Sequence, residues 1–116
     1  VTHQGTATRL VNTHVSELYW TLAQMVAHQA SNGAPLEAGD LIATGTVSGR
    51  SEESRACLAE ITARGTRPIE LPDKTNRVML EDGDTLTLRG RAVAAGFIGI
   101  GFGDCAGTIE PARSSA

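Results

Sequence analysis

A chain of 116 residues has the length of one domain, so a single hydrophobic core is expected. Apolar residues make up 41% of the chain and charged residues 20%, a balance that excludes wholesale disorder and permits a packed interior. The net charge of −3 argues against nucleic-acid binding, which needs a basic surface, and no window approaches the ~20 apolar residues of a membrane span.

The first predicted element is an amphipathic helix over residues 13–31. Residues 1–12 show no clear period. Apolar side chains then recur at three- and four-residue steps, as they do on one face of a helix: Val15, Leu18, Tyr19, Leu22, Met25 and Val26. Asn12 or Thr13 can cap the start, and Asn32-Gly33 is a typical end.

Short strands separated by turn residues are predicted for the rest of the chain. The expected strands are 41–44, 57–63, 68–71, 77–80, 85–91, 97–103 and 107–110, with a tight turn at 81–84 joining two of them. The predicted class is therefore α+β: one N-terminal amphipathic helix followed by a mostly antiparallel mixed β-roll or sandwich. Residues 1–116 are expected to form one partial domain with a flexible tail at 113–116.

Glu60 is the first candidate for chemistry. In the predicted strand 57–63 it lies on the same face as Leu58 and Thr62, so its carboxylate is expected to be buried. A buried carboxylate has to be paired, hydrogen-bonded or protonated. Two interpretations stay open on the pattern alone: a carboxylate that orients a catalytic base, and a structural ion pair with an arginine.

The second candidate is the glycine-bracketed loop Thr44–Gly49. Gly45 lets the backbone approach a ligand closely, and the hydroxyl of Thr46 can donate or accept a hydrogen bond. The alternative is an ordinary corner between a strand and a loop, since glycine occurs in any tight turn.

The histidines and cysteines do not form a metal site in this reading. His14 and His28 lie on the predicted helix about four turns apart, and His3 lies in a stretch without recognisable structure. Two cysteines are too few for a disulfide framework, so Cys57 and Cys105 are expected to be buried and reduced in a cytosolic protein.

Four strings of residues resemble the fumarylacetoacetases of the fumarylacetoacetate hydrolase family. They are Tyr-Trp-Thr-Leu-Ala-Gln-Met-Val-Ala-His at 19–28, the stretch 39–49, Leu-Glu-Asp-Gly-Asp at 80–84 and Gly-Phe-Gly-Asp-Cys-Ala-Gly at 101–107. The resemblance covers about residues 9–112 and concerns only the C-terminal portion of the family's catalytic domain.

The resemblance implies a metal-dependent hydrolase that cleaves the carbon–carbon bond of 4-fumarylacetoacetate to fumarate and acetoacetate, the last step of tyrosine catabolism. Glu60 matches the carboxylate that orients the catalytic histidine, and Thr46, with Gly45 beside it, matches the substrate-binding loop. The catalytic histidine and the ligands of the calcium or magnesium ion are expected upstream of Val1, with no metal ligand in this chain. The fragment is therefore expected to be inactive alone.

The same resemblance sets the expected partners: the upstream part of the same cytoplasmic enzyme, a second copy in a homodimer and the small diketo-acid substrate, with neither nucleic acid nor membrane. Two alternatives stay open: a non-catalytic dimerisation or binding module, and a related diketo-acid hydrolase or decarboxylase. Gln29, Ala34 and Arg50 depart from the residues usual in the family, and Arg50 borders the substrate loop.

Overall fold

The computed structural model describes residues 1–113 and has two short α-helices and six antiparallel strands. The helices are α1 (Leu22–Ala30) and α2 (Leu58–Ile61), with 3₁₀ turns at Val15–Glu17 and Glu52–Ser54. The strands are β1 (Thr2–His3), β2 (Thr6–Ala7), β3 (Ile69–Glu70), β4 (Asn76–Arg77), β5 (Thr85–Ala92) and β6 (Ile100–Thr108). The α+β class is confirmed; of the expected tail at 113–116, residues 114–116 lie outside the described residues.

The main sheet has the strand order β2-β1-β5-β6, and β3 and β4 form a separate pair. The expected pairing of 77–80 with 85–91 across a tight turn is wrong, because β4 pairs with β3 and β5 lies between β1 and β6. The turn at 81–84 is instead fastened to the end of β6: the Gly83 N–H donates to Ile109 O at 2.8 Å, and the Ile109 N–H donates to Asp84 O at 2.9 Å. Asp84 also lies beside β1, because the next residue, Thr85, pairs with Thr2.

The first helix is shorter than predicted. It begins after Thr21, which forms a capping box with Gln24, rather than after Asn12 or Thr13. The hydroxyl of Thr13 donates instead to Val47 O at 2.7 Å, which anchors the 44–49 loop. The predicted end is confirmed, since the Gly33 N–H donates to Ala30 O and Gly33 has a φ of +82°. His14 therefore does not share a helix with His28.

Three strand predictions are wrong in their details. Residues 58–61 of the predicted strand 57–63 form α2, and residues 41–44 join no ladder within the described residues. The two predicted strands at 97–103 and 107–110 are one continuous strand, β6, which pairs with β5 along its length with a bulge between Arg89 and Arg91.

Little apolar surface is buried within the described residues. Leu71 is the one large apolar side chain there that is buried, whereas Tyr19, Leu41 and Ile98 are 85%, 93% and 94% exposed. The radius of gyration is 17.7 Å, against ~13 Å for a compact domain of this length. The expected packed core is thus not completed by this segment. In the described part of the chain, no helix has the length and apolar character needed to cross a membrane.

Candidate functional site

Glu60 lies on α2, the short helix that follows the 3₁₀ turn Glu52–Ser54, and its side chain is exposed. The expectation of a buried strand position is therefore wrong. Its Oε2 atom accepts hydrogen bonds from Ser48 Oγ at 2.5 Å and from the Ala56 N–H at 3.2 Å, and the Cys57 thiol lies 3.8 Å away. None of the ion pairs among residues 1–113 includes Glu60. The alternative of a structural arginine pair has no support in this geometry.

The hydrogen bond from Ser48 is the largest influence on the Glu60 carboxyl and lowers its pKa below the ordinary value of 4.5. A small loss of hydration acts in the opposite direction, and the bonds from Ala56 and Cys57 add to the lowering. The group is therefore a carboxylate near neutral pH. The bonds from Ser48, Ala56 and the Cys57 thiol all act on Oε2, and the Cys57 backbone N–H also lowers the pKa. Within the described residues, no hydrogen bond of ordinary geometry reaches Oε1, which can accept a bond from another group.

The 44–49 loop lies against α2, because Ser48 belongs to the loop and bonds Glu60. Gly45 has a φ of +71°, a conformation that suits glycine, and no atom lies within 4 Å of the position its Cβ would occupy. Thr46 is exposed, and its hydroxyl has no hydrogen bond to any described residue. The structure therefore brings together the two regions that the sequence singled out, with Ser48 as the link that sequence reasoning missed.

Arg50 lines a polar groove of about 280 Å³ next to the same loop. The other lining residues are Asn12, Thr13, His14, Glu17, Ser51 and Ser54. Arg50 follows the 44–49 loop directly in the chain, so this groove lies beside the loop; its effect on the candidate site stays a prediction.

A second polar cluster, formed by His3, Arg77 and Asp84, was not anticipated. Asp84 is fully buried; its Oδ1 lies 2.7 Å from His3 Nδ1, and its Oδ2 accepts from Arg77 Nε at 3.1 Å and from the Glu81 N–H at 2.9 Å. His3 was expected in a stretch without structure, and no local pattern indicates a contact that spans 81 residues. The cluster joins the first strand of the main sheet to the turn before β5.

The pKa of Asp84 is lowered although burial raises it, because the bonds from Glu81, Arg77 and His3 together outweigh the loss of hydration. Asp84 is therefore occupied in the fold and does not act as a free carboxylate. The turn that contains Asp82 and Asp84 is structural.

Residues 1–113 hold no group of three or more histidine, cysteine, aspartate or glutamate side chains placed to bind a metal ion together. Both cysteines are free, but the expectation of burial is wrong, since Cys57 is half-buried and Cys105 is exposed.

The chain matches the C-terminal part of a hydrolase family. The family model "Fumarylacetoacetate (FAA) hydrolase C-terminal" matches residues 5–110, and the chain belongs to this family. The fumarylacetoacetase of Bos taurus is 40% identical over 110 residues, 95% of this chain and 26% of the relative. That of Aspergillus fumigatus is 42% identical over 108 residues, 93% of this chain and 25% of the relative.

A plant relative has the same extent of similarity: the fumarylacetoacetase of Arabidopsis thaliana is 41% identical over 102 residues, which cover 88% of this chain and 24% of the relative. The chain spans about a quarter of the length of the curated relatives it matches. The resemblance noted in the sequence is thereby confirmed for the family.

Proposed function

We propose that this chain is the C-terminal part of a fumarylacetoacetase, which hydrolyses the carbon–carbon bond of 4-fumarylacetoacetate to fumarate and acetoacetate. The observation that supports the proposal best is the state of Glu60. Its carboxylate is ionised, held on one oxygen by Ser48 and Ala56, and open on the other. This is the arrangement that a carboxylate needs to orient an imidazole.

In the proposed mechanism, Oε1 of Glu60 accepts the N–H of a histidine supplied by the rest of the enzyme. The hydrogen bond fixes the imidazole tautomer, so that the other ring nitrogen faces a water molecule and removes its proton. The negative charge of Glu60 then stabilises the imidazolium that forms. The low pKa of Glu60 keeps the proton on the histidine rather than on the carboxylate.

In this proposal, Thr46 binds the substrate. Its hydroxyl is exposed, and the loop around it is fixed by the bonds of Thr13 to Val47 O and of the Gly49 N–H to Ser54 O. A hydroxyl on an anchored loop can bind a ketone or carboxylate oxygen of a diketo acid. The proposal leaves the divalent cation to the rest of the enzyme, as the family resemblance implies.

The proposal places the histidine in a part of the enzyme that packs against this chain. The large apolar side chains left exposed support such packing, because a surface of this extent is unfavourable in water. The relatives are about four times as long as the matched segment, which is long enough to supply a covering layer. Assembly of the complete enzyme as a homodimer stays a prediction.

The test is Glu60→Gln in the full-length protein. The amide keeps the shape of the side chain and removes the charge, so kcat for fumarylacetoacetate hydrolysis should fall by roughly 10²–10⁴-fold while the melting temperature stays nearly constant. Formation of fumarate is the measurement. Glu37→Gln is the matched control, because Glu37 is exposed and its carboxylate has no hydrogen bond to a described residue.

Three results would contradict the proposal. Full activity of Glu60→Gln with a large loss of stability would make Glu60 a structural residue. A full-length protein that leaves fumarylacetoacetate intact but cleaves or decarboxylates another diketo acid would favour the related-enzyme alternative. Inertness toward every diketo acid would favour the binding module.

A further inference from the structure

Ser48 lies in the 44–49 loop that contains Thr46, and its side chain bonds Glu60 on α2. Its Oγ donates to Glu60 Oε2 at 2.5 Å and accepts from the Ala56 N–H at 3.2 Å. We propose that Ser48 is a positioning residue that fixes the orientation of the Glu60 carboxylate for the reaction. The inference rests on the proposed function, because it acts through Glu60.

The hydroxyl of Ser48 has a single proton, and the geometry commits that proton to Glu60. The Ala56 N–H occupies an acceptor position of the same oxygen, which sets the rotation of the hydroxyl. Without Ser48, Oε2 would retain the Ala56 N–H at 3.2 Å and the weak thiol donor of Cys57 at 3.8 Å. A glutamate on the surface would then be free to change its rotamer, and Oε1 would lose its fixed direction.

The backbone on both sides of Ser48 is anchored. On one side, Val47 O accepts from the Thr13 hydroxyl at 2.7 Å, and on the other the Gly49 N–H donates to Ser54 O at 3.0 Å. Gly49 has no room for a side chain, since a Cβ there would lie 2.6 Å from Ser54 Oγ. Ser48 is therefore a preorganised donor on a fixed loop, and this is the requirement for a group that positions another.

The neighbouring serines serve a different purpose. Ser51 and Ser54 bond each other and close the 3₁₀ turn, and neither reaches Glu60. Ser48 is thus the one serine of this region of the described chain whose hydroxyl acts on the candidate carboxylate. Because Ser48 lies two residues after Thr46 in the same loop, the backbone from Thr46 to Ser48 and the Ser48 hydrogen bond together connect the substrate loop to the Glu60 carboxylate.

The kinetic test compares Ser48→Ala, Ser48→Thr and a matched control in the full-length protein. We expect Ser48→Ala to lower kcat about tenfold, with KM changed by less than about twofold, because the hydrogen bond acts on a charged group that does not bind substrate. Ser48→Thr should restore most of the activity. Ser31→Ala is the matched control: it removes a bond of similar length, 2.6 Å to His28 O at the end of α1, that does not involve Glu60, so kcat should stay at the wild-type value.

A double-mutant cycle separates positioning from a general structural effect. If Ser48 acts through Glu60, Ser48→Ala should produce no further loss of kcat in the Glu60→Gln background. Two independent losses that multiply would overturn the proposal. A lower melting temperature with unchanged kcat in Ser48→Ala would overturn it as well.

A second measurement does not depend on activity. The carboxyl of Glu60, assigned by the loss of its ¹³C NMR signal in Glu60→Gln, should titrate at a higher pH in Ser48→Ala than in the wild type, because the strongest bond that lowers its pKa is gone. An unchanged titration would overturn the contact itself. Failure of the wild-type protein to hydrolyse the substrate, together with a shifted titration, would overturn the proposed function while leaving Ser48 as the group that fixes Glu60.

Discussion

Asp84→Asn in the full-length protein should lower the free energy of unfolding by about 2–4 kcal/mol. The substitution keeps the size of the side chain but removes the charge that faces Arg77 Nε at 3.1 Å and His3 Nδ1 at 2.7 Å. The side chain of Arg77 is 8% exposed, so its charge would be left with the more exposed Glu81 as its nearest carboxylate. The amide oxygen of the asparagine still accepts from the Glu81 N–H. The expected loss of unfolding free energy is therefore smaller than if the whole side chain were removed.

Urea unfolding at several pH values is the assay, because the same substitution should also change the pH dependence. The pKa of Asp84 is lowered in the folded protein, so its contribution to stability is present above the ordinary value of 3.8 and is lost as the pH falls through the folded-state pKa. The wild type should therefore lose stability below about pH 4, and Asp84→Asn should show a weaker dependence in that window.

The chain offers a matched control in the second Arg–Asp pair. Arg89 and Asp104 are joined by two bonds of 2.7 Å but are 72% and 53% exposed, so Asp104→Asn should change stability little. Equal losses from the two substitutions would refute the reasoning, because the argument attributes the larger effect to burial. Equal pH dependence in wild type and Asp84→Asn would refute the assignment of the titration to Asp84.

Two further predictions concern the loop and the thiols. Thr46→Val in the full-length protein should raise KM about tenfold with kcat nearly unchanged, since it removes one hydroxyl from an exposed loop position. A fall in kcat at constant KM would instead mean that Thr46 stabilises the transition state. When the unreduced protein is titrated with a thiol reagent, the exposed Cys105 should react before the half-buried Cys57. After denaturation both thiols should react, and the absence of free thiols would contradict the reduced state.

Elements fixed by local chemistry were predicted well from the sequence. The end of α1 at Asn32-Gly33 and the strand β5 both agree with the structure, because glycine at a left-handed position and a run of alternating residues act over a few residues. The region 57–63 failed for a physical reason. The three-residue spacing of Leu58 and Ile61 fits a helix, and the two-residue spacing of Leu58, Glu60 and Thr62 fits a strand equally well. Seven residues are too few to decide between the two periods.

The candidate site was predictable only in part. Glu60 and Thr46 could be named because they lie in strings that resemble a known family, but the burial of Glu60 was wrong because it was inferred from the incorrect strand. Ser48 was missed because a serine in a loop has many possible partners, and its bond to a residue 12 positions away depends on how the loop packs. The His3–Asp84 contact depends on the tertiary fold alone.

The place of β1 in the main sheet sets an entropic cost for assembling that sheet. Its contacts with β5 and Asp84 close a loop of 81 residues, which costs roughly 2 kcal/mol more chain entropy than closing the short connection between β5 and β6. During synthesis at ~5–20 residues per second, β1 waits roughly 4–16 s for its partner to be made. The pairing of β5 with β6 therefore has the smaller closure cost of the two, and β1 joins β5 at the larger one.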